Sequence, residues 1–423
     1  MAHARRLPRG DSRAPHLTGV LSYAVAIRFD PEPLFTDPRY PRFAAAAVKA
    51  VEAGSASLIS DALKEDSSSG SEEIAAFAIS TQGLSALTCR CREVRTLPVA
   101  LSDFLFAESL HSEARARRLL ETLSGTICRL RAADVEVVAL KGAALAFFRY
   151  EEPSLRPMGD LDLLLRESRD LERATAALAG AGWIALFDTN RHRVFARPDE
   201  RVASPATEHP ENPVRLELHT SFRLPVLGRL YDASAELREQ AEVRDLDGVE
   251  VAIAAGPSLV RHLLFHAAED FAGRGIRGIQ AYDFRLLART SGRLSPEVSS
   301  NEREAGAAPL LFAADAIERL FPNTFEELFR SSVAARVSPD LRGRAAALPP
   351  LRYTRAARGW TRMLLTLVDG PVPRARFLLR TLFPTLGEVK ANVAPDASGL
   401  ALAVAWVRVL LRRAGFLSRR ELQ

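Results

Sequence analysis

A chain of 423 residues is long for one hydrophobic core and suggests two or three domains. Its 47% hydrophobic and 26% charged residues are an ordinary globular mixture, which sets aside fibrous, collagen-like and fully disordered classes. A net charge of +5 is small against 57 basic and 52 acidic groups, so the basic balance gives no reason to expect a nucleic-acid partner.

Cys89, Cys91 and Cys128 make neither a disulfide framework nor a zinc ligand set, which fits a reducing cytoplasm.

Residues 1–40 are expected to be a disordered extension. The first twenty carry many Arg and Pro and no apolar core of signal-peptide length, and they also fit a misassigned start. Residues 41–130 read as a helical region. Phe43 to Ala53 is Ala-rich and helical, while Asp66 to Glu73, DSSSGSEE, reads as a flexible linker. From Leu97 apolar residues recur at helical steps: Leu101, Phe104, Leu105 and Leu110, then Leu119, Leu120, Leu123, Ile127 and Leu130.

Residues 131–256 form the expected αβ core. Val135 to Leu140 is a β-branched apolar strand, Lys141-Gly142 a turn, and Ala143 to Tyr150 a short helix. A polar loop closed by Arg156-Pro157 leads into Asp160 to Leu165, DLDLLL. Side chains alternate along a strand, so Asp160 and Asp162 share one face and Leu161, Leu163 and Leu165 the other. Two carboxylates ~7 Å apart along a strand form a hard oxygen pair suited to Mg²⁺ or Mn²⁺. The bland alternative is an amphipathic edge strand with solvated acids.

The turn before them reads as a phosphate seat, with backbone N–H groups at a helix start and Gly142 permitting close approach. Lys141 is unusual here, because 53 of the 57 basic residues are Arg; it is either a retained point charge or a chance lysine on a solvated turn. Arg156 could reach a triphosphate or base, or pair with Glu151 or Glu152.

Ser168 to Ala181 is a helix with Gly180 and Gly182 as stop signals, Trp183 to Phe187 and Arg191 to Arg197 are strands, and a polar loop runs to Pro213. In Val214 to Phe222 apolar Val214, Leu216 and Leu218 alternate with Arg215, Glu217 and His219. Glu217 is thus a candidate third acid, unless Arg215 or His219 simply pairs with it. Asp247-Gly248 marks a hairpin near the end of this region.

Residues 257–423 read as mainly helical. His262, His266 and Glu269 fall on one helix face, either a metal set or an ordinary surface. Arg274, Arg277 and Arg285 could meet phosphates or lie in solvent. Leu400 to Leu411 is apolar for only a dozen residues and contains Arg408, too short to span a membrane.

Taken in order, "ALKGAAL", "LRPMGDLDLLL", "LELHTSF", "HLLFHAAED" and "AYDFRLL" resemble an uncharacterised bacterial nucleotidyltransferase family of the DNA polymerase β-type superfamily. The resemblance covers roughly Leu119 to Arg289, with a weaker echo at "FLLRTLFPTLGEV". It departs from the superfamily's pattern in lacking a hydroxyl residue after Gly142 and in its long gap to Asp160.

The resemblance implies an α+β fold with a mixed sheet and helices, flanked by helical regions. It also implies transfer of a nucleoside monophosphate from ATP or another NTP to an acceptor hydroxyl, small-molecule or protein. Asp160, Asp162 and Glu217 would hold Mg²⁺ or Mn²⁺, with Lys141, Gly142 and Arg156 on the phosphates. His266 and Asp283 would pack the helical region beside the site. A degenerate scaffold and a toxin-type protein nucleotidylating enzyme are the alternatives.

Overall fold

The computed structural model describes residue 34 and residues 37–413 less several stretches, the longest at 199–208, 297–306, 352–364 and 390–397. The expected N-terminal extension therefore lies almost wholly outside the described residues, as do Arg274, most of the loop before Pro213 and part of the FLLRTLFPTLGEV segment.

A seven-stranded mixed sheet organises the chain. The strands are β1 (Val137–Ala139), β2 (Asp160–Leu165), β3 (Ile184–Asp188), β4 (His192–Ala196), β5 (Arg215–His219), β8 (Glu242–Leu246) and β9 (Val249–Ile253). Their order is β3-β4-β5-β2-β1-β9-β8. β2 runs parallel to β5 and antiparallel to β1, and β1 runs parallel to β9. A separate hairpin joins β6 (Arg223–Val226) and β7 (Arg229–Asp232). The β8–β9 turn places Asp247 at φ 52° and Gly248 at φ 88°, the left-handed pair that an Asp-Gly hairpin requires.

Before the sheet come α1 (Tyr40–Ala53), α2 (Ser57–Lys64), α3 (Ser71–Thr81), α4 (Ser85–Cys89) and α5 (Val99–Arg131). Within it lie α6 (Lys141–Ala146), α7 (Leu171–Ala179) and α8 (Ser234–Glu239). After it come α9 (Gly256–Gly273), α10 (Gly278–Ser291), α11 (Ala307–Leu320), α12 (Glu327–Ala334), α13 (Pro339–Ala346), α14 (Pro371–Leu382) and α15 (Gly399–Arg413).

Two sequence expectations change here. The helical pattern after Leu97 is one continuous 33-residue helix, α5. The expected linker ends early, because Ser71 opens α3 and places Glu72 and Glu73 in its first turn, where carboxylates favour the helix dipole.

Strand alternation assigns the two sheet faces to different cores. Leu161, Leu163, Leu165, Leu216, Leu218 and Phe195 pack under Leu119, Leu123, Ile127 and Leu130 of α5 and Ala174 and Leu178 of α7. The opposite face contributes Val138, Leu140 and Leu164 to a larger core. That core is shared by the helices before the sheet, through Phe43 and Phe77, and those after it, through Phe265, Phe284 and Phe312. Burying each such large side chain contributes about 1.5–3 kcal/mol. The helices on either side of the sheet in sequence therefore hold one another in place. Glu52 of α1 adds to this by accepting from Arg285 and Arg289 of α10, so Arg285 has a carboxylate partner and does not stand in solvent.

No helix among the described residues is long and apolar enough to cross a membrane.

Candidate active site

The acid face of β2 looks toward the larger core, and its neighbours follow from register. In the parallel β2–β5 pair Asp160 stands opposite Arg215, Asp162 opposite Glu217 and Leu164 opposite His219. On the far side of β5 the antiparallel partner β4 places His192 opposite His219 and Val194 opposite Glu217. Asp160, Asp162, Glu217, His219 and His192 therefore project from one surface on three adjoining strands.

Asp162 is 3% exposed, and two cations or donors meet on its Oδ1. Lys141 Nζ lies at 2.6 Å and His219 Nε2 at 2.9 Å. Burial alone would lift the Asp162 carboxyl, but Lys141 and His219 outweigh it and hold it far below the usual carboxylate range. Lys141 is the mirror case. Burial opposes its charge, and the fields of Asp162, Glu217 and Asp160 together overcome that and raise its pKa.

The lysine comes from an unusual backbone. Lys141 sits at φ 44°, left-handed territory that a long side chain rarely adopts, just where β1 ends and α6 begins. Leu140 N–H donates to the Asp162 carbonyl at 3.0 Å, fixing the turn against β2. The side chain then folds over the ring of Phe222, its Nζ 5.6 Å from the ring centroid. The ammonium thus stands among the three carboxylates, where a bound cation's charge would otherwise be needed.

Glu217 is half-buried, with His219 Nε2 at 3.6 Å and His192 Nε2 at 3.7 Å from its Oε2. Burial works against its charge, and the adjacent His219 overcomes that, so its carboxyl also titrates low. His219 is raised, since the hydrogen bond to Asp162 and the contact with Glu217 outweigh burial. Burial and the neighbouring His219 push His192 down to about 4, leaving it neutral at pH 7. The two imidazoles are 4.8 Å apart between centroids.

Arg156 takes a different ion-pair partner from the two acids that its own sequence neighbourhood offers. Glu151 and Glu152 are not its partners; Glu152 pairs with Arg90. Asp283 of α10 takes the guanidinium in a buried fork, Nε at 2.9 Å and Nη2 at 2.8 Å, and also accepts from Tyr150 Oη at 2.7 Å. Gly142 fits the same arrangement. A Cβ built on it would meet Arg156 Nη1 and Met158 Sδ, each at 2.8 Å, so the missing side chain makes room for these two. Arg156 lies directly behind the turn, and its field includes Asp160.

Sequence reasoning missed Arg115. Buried on α5, it donates to the carbonyls of Met158 at 3.3 Å and of Gly159 and Pro213 at 2.9 Å, and to that of Asn212. Those carbonyls precede β2 and β5, so one guanidinium gathers the starts of both acid-bearing strands. An Arg among the leucines of an amphipathic helix was the available signal.

His262, His266 and Glu269 do not assemble as a group of ligands. His262 is fully buried edge-on to Phe222, with centroids 4.7 Å apart, and neither ring nitrogen has a hydrogen-bond partner. His266 faces Asp270 at 3.4 Å, and Glu269 faces Arg191 at 3.7 Å. The group that does assemble among the described residues is His192, Glu217 and His219, with ligand atoms all within 4.8 Å of one another.

A mixed α+β fold with acids gathered on one sheet face is thus the class to which this chain belongs. More narrowly, it is a member of the uncharacterised nucleotidyltransferase family, which it matches over residues 69–322. It is also similar to an antigenic nucleotidyltransferase-like protein from Paracoccidioides brasiliensis. That likeness is slight: 14% identity over 53% of this chain and 94% of the other, with a TM-score of 0.32. No functionally curated protein matches the chain.

Proposed function

We propose that this chain is a divalent-metal-dependent nucleotidyltransferase of the polymerase β type, bacterial and cytoplasmic. It would move a nucleoside monophosphate from an NTP to an acceptor hydroxyl with release of pyrophosphate. The observation that carries this reading is the convergence of Asp160, Asp162 and Glu217 on one face of two parallel strands, with Lys141 among them.

The donor set fits Mg²⁺ or Mn²⁺. Asp160 and Asp162 would hold one ion, and Glu217 would complete a second position. Such ions, when bound, neutralise triphosphate charge and lower the pKa of the acceptor hydroxyl. The chain's own groups supply position and charge. Lys141, on a turn pinned to β2, is placed to exchange Asp162 for a phosphate oxygen. His219 keeps Asp162 ionised, and the Arg156–Asp283 fork keeps the turn behind it from moving. Arg156 has Nε and Nη2 on Asp283 and would offer its remaining Nη1 to the phosphates.

One observation favours a second reading. Lys141 and His219 already occupy one oxygen of Asp162, as in a degenerate scaffold whose site no longer takes metal and nucleotide. Calorimetric titration of the four NTPs with Mg²⁺ into wild type and an Asp160→Ala/Asp162→Ala double variant separates the two. Metal-dependent binding of an NTP, lost in the double variant, is expected. Equal binding by both proteins would remove the nucleotidyltransferase reading. Labelled-NTP transfer into a lysate then tells a protein acceptor from a small molecule.

A further inference from the structure

We propose that His192, Glu217 and His219 form a metal position of their own. It would take a first-row transition metal of the Zn²⁺ or Co²⁺ kind in preference to Mg²⁺, beside the all-oxygen position at Asp160 and Asp162. The role of this ion in the reaction rests on the nucleotidyltransferase reading; its binding does not.

Donor spacing is the first argument. Glu217 Oε2 lies 3.6 Å from His219 Nε2 and 3.7 Å from His192 Nε2. A tetrahedral ion with ligand bonds near 2.0–2.1 Å holds its donors about 3.4 Å apart, so these pairs need to close by only tenths of an ångström. All three donors lie within 4.8 Å of one another. Three protein ligands leave a fourth position for water or substrate, the arrangement of catalytic rather than structural sites. Two imidazoles and one carboxylate also sort ions by softness. Mg²⁺ keeps oxygen ligands and several waters, whereas imidazole suits Zn²⁺ and its neighbours.

The second argument is the support behind the ligands. His192 Nδ1 is 3.2 Å from Thr189 Oγ1, and that hydroxyl donates to the His192 carbonyl at 3.1 Å. The same hydroxyl oxygen accepts from the backbone N–H groups of Arg191 at 3.2 Å and His192 at 3.0 Å, so the ring is held from its Nδ1 side and Nε2 is the nitrogen toward Glu217. A metal-ligating histidine is usually held in this way by a partner on its other nitrogen. His192 and His219 are direct cross-strand partners at the start of β4 and the end of β5, so the sheet fixes their separation. Three carboxylates, Asp160, Asp162 and Glu217, stand beside this position, and the fields of all three act on Lys141. The proton shared by His219 Nε2 and Asp162 Oδ1 is released when a metal takes that nitrogen.

The test uses the full chain, stripped with chelator and titrated with Co²⁺ under visible absorption. Wild type is expected to bind one Co²⁺ with a d–d band that Zn²⁺ bleaches and a large excess of Mg²⁺ does not. His192→Ala should weaken Co²⁺ binding by at least the ~10- to 100-fold that loss of an outer-shell partner costs. His192→Asn serves the same purpose if the alanine variant does not fold. Asp160→Ala should keep the band while losing Mg²⁺-dependent NTP binding. No band in folded wild type, a band untouched by either His192 variant, or displacement by Mg²⁺ as readily as by Zn²⁺ would each overturn the proposal. A cobalt band without NTP binding would leave this site standing and remove the nucleotidyltransferase reading instead.

Discussion

Replacing Lys141 by Met keeps the hydrophobic stem over Phe222 and deletes only the charge among the carboxylates. The structure sets the magnitude. Nζ and Oδ1 are 2.6 Å apart, and their side chains are 19% and 4% exposed. At that distance and an effective dielectric near 20 the gross attraction is ~6 kcal/mol, but breaking a buried pair costs about 3–5 kcal/mol net. His219 remains on the same oxygen at 2.9 Å, so the low end, ~3 kcal/mol, is expected. Three carboxylates are then left without their ammonium, and a divalent ion can take its place. Urea denaturation in EDTA and in Mg²⁺ reads both effects. The variant should be ~3 kcal/mol less stable than wild type in EDTA, and it should recover more than wild type does when Mg²⁺ is added, by ~2.7 kcal/mol at a hundred times the dissociation constant. A loss in EDTA below ~1 kcal/mol, or the same Mg²⁺ response in both proteins, would show that Lys141 does not stand in for the metal.

Three further outcomes follow from the same contacts. Arg156→Lys leaves a point charge where Asp283 expects a fork, so stability should fall by ~2–4 kcal/mol and hydrogen exchange in the loop before Asp160 should quicken; unchanged protection there refutes the bracing role. Gly142→Ala pushes a methyl against Arg156 and Met158 and should cost ~1–3 kcal/mol in urea while weakening NTP binding; a neutral result means that the turn has slack. His192, at about 4, and His262, pushed well below its ordinary value by burial, resist protonation in the fold, whereas the unfolded chain takes up protons near pH 6.5. Stability of the metal-free protein should therefore fall as pH drops from ~6.5 toward 4, by up to ~1.4 kcal/mol per pH unit for each histidine. His219 is raised, so it acts in the window above pH 6.5 and leaves this slope alone. His262→Leu should flatten the profile by about half; an unchanged slope would place the protons elsewhere.

Elements whose cause is local were legible in the sequence. DLDLLL and VRLELHTSF alternate as strands with one acidic face, and Asp247-Gly248 turns the hairpin that its dipeptide specifies. What failed depended on context. The Ser- and Glu-rich stretch at residue 66 reads as a linker by composition, yet Glu72 and Glu73 suit the first turn of a helix that buries Ile74 and Phe77. The β6–β7 hairpin carries Pro225 inside a strand, which argues against a strand unless the pair stands apart from the main sheet, as it does.

The site divides along the same line. Asp160, Asp162, Glu217 and the turn at Lys141 could be named from short patterns, because each pattern is written within a few consecutive residues. The functions of their neighbours could not. Arg156 offered two acids nearby in sequence and took a third, Asp283, from α10, because a buried guanidinium is held by whichever carboxylate is desolvated with it. His192 carries no motif at all. It becomes a neighbour of Glu217 only when β4 pairs antiparallel with β5 in one register, and a shift of one residue would turn it to the α7 face where Arg193 now lies. The acids of this site and His219 are thus a property of the sequence, and His192 a property of the sheet, so a change that slips the β4–β5 register should remove the His192 imidazole and spare His219 and the carboxylates.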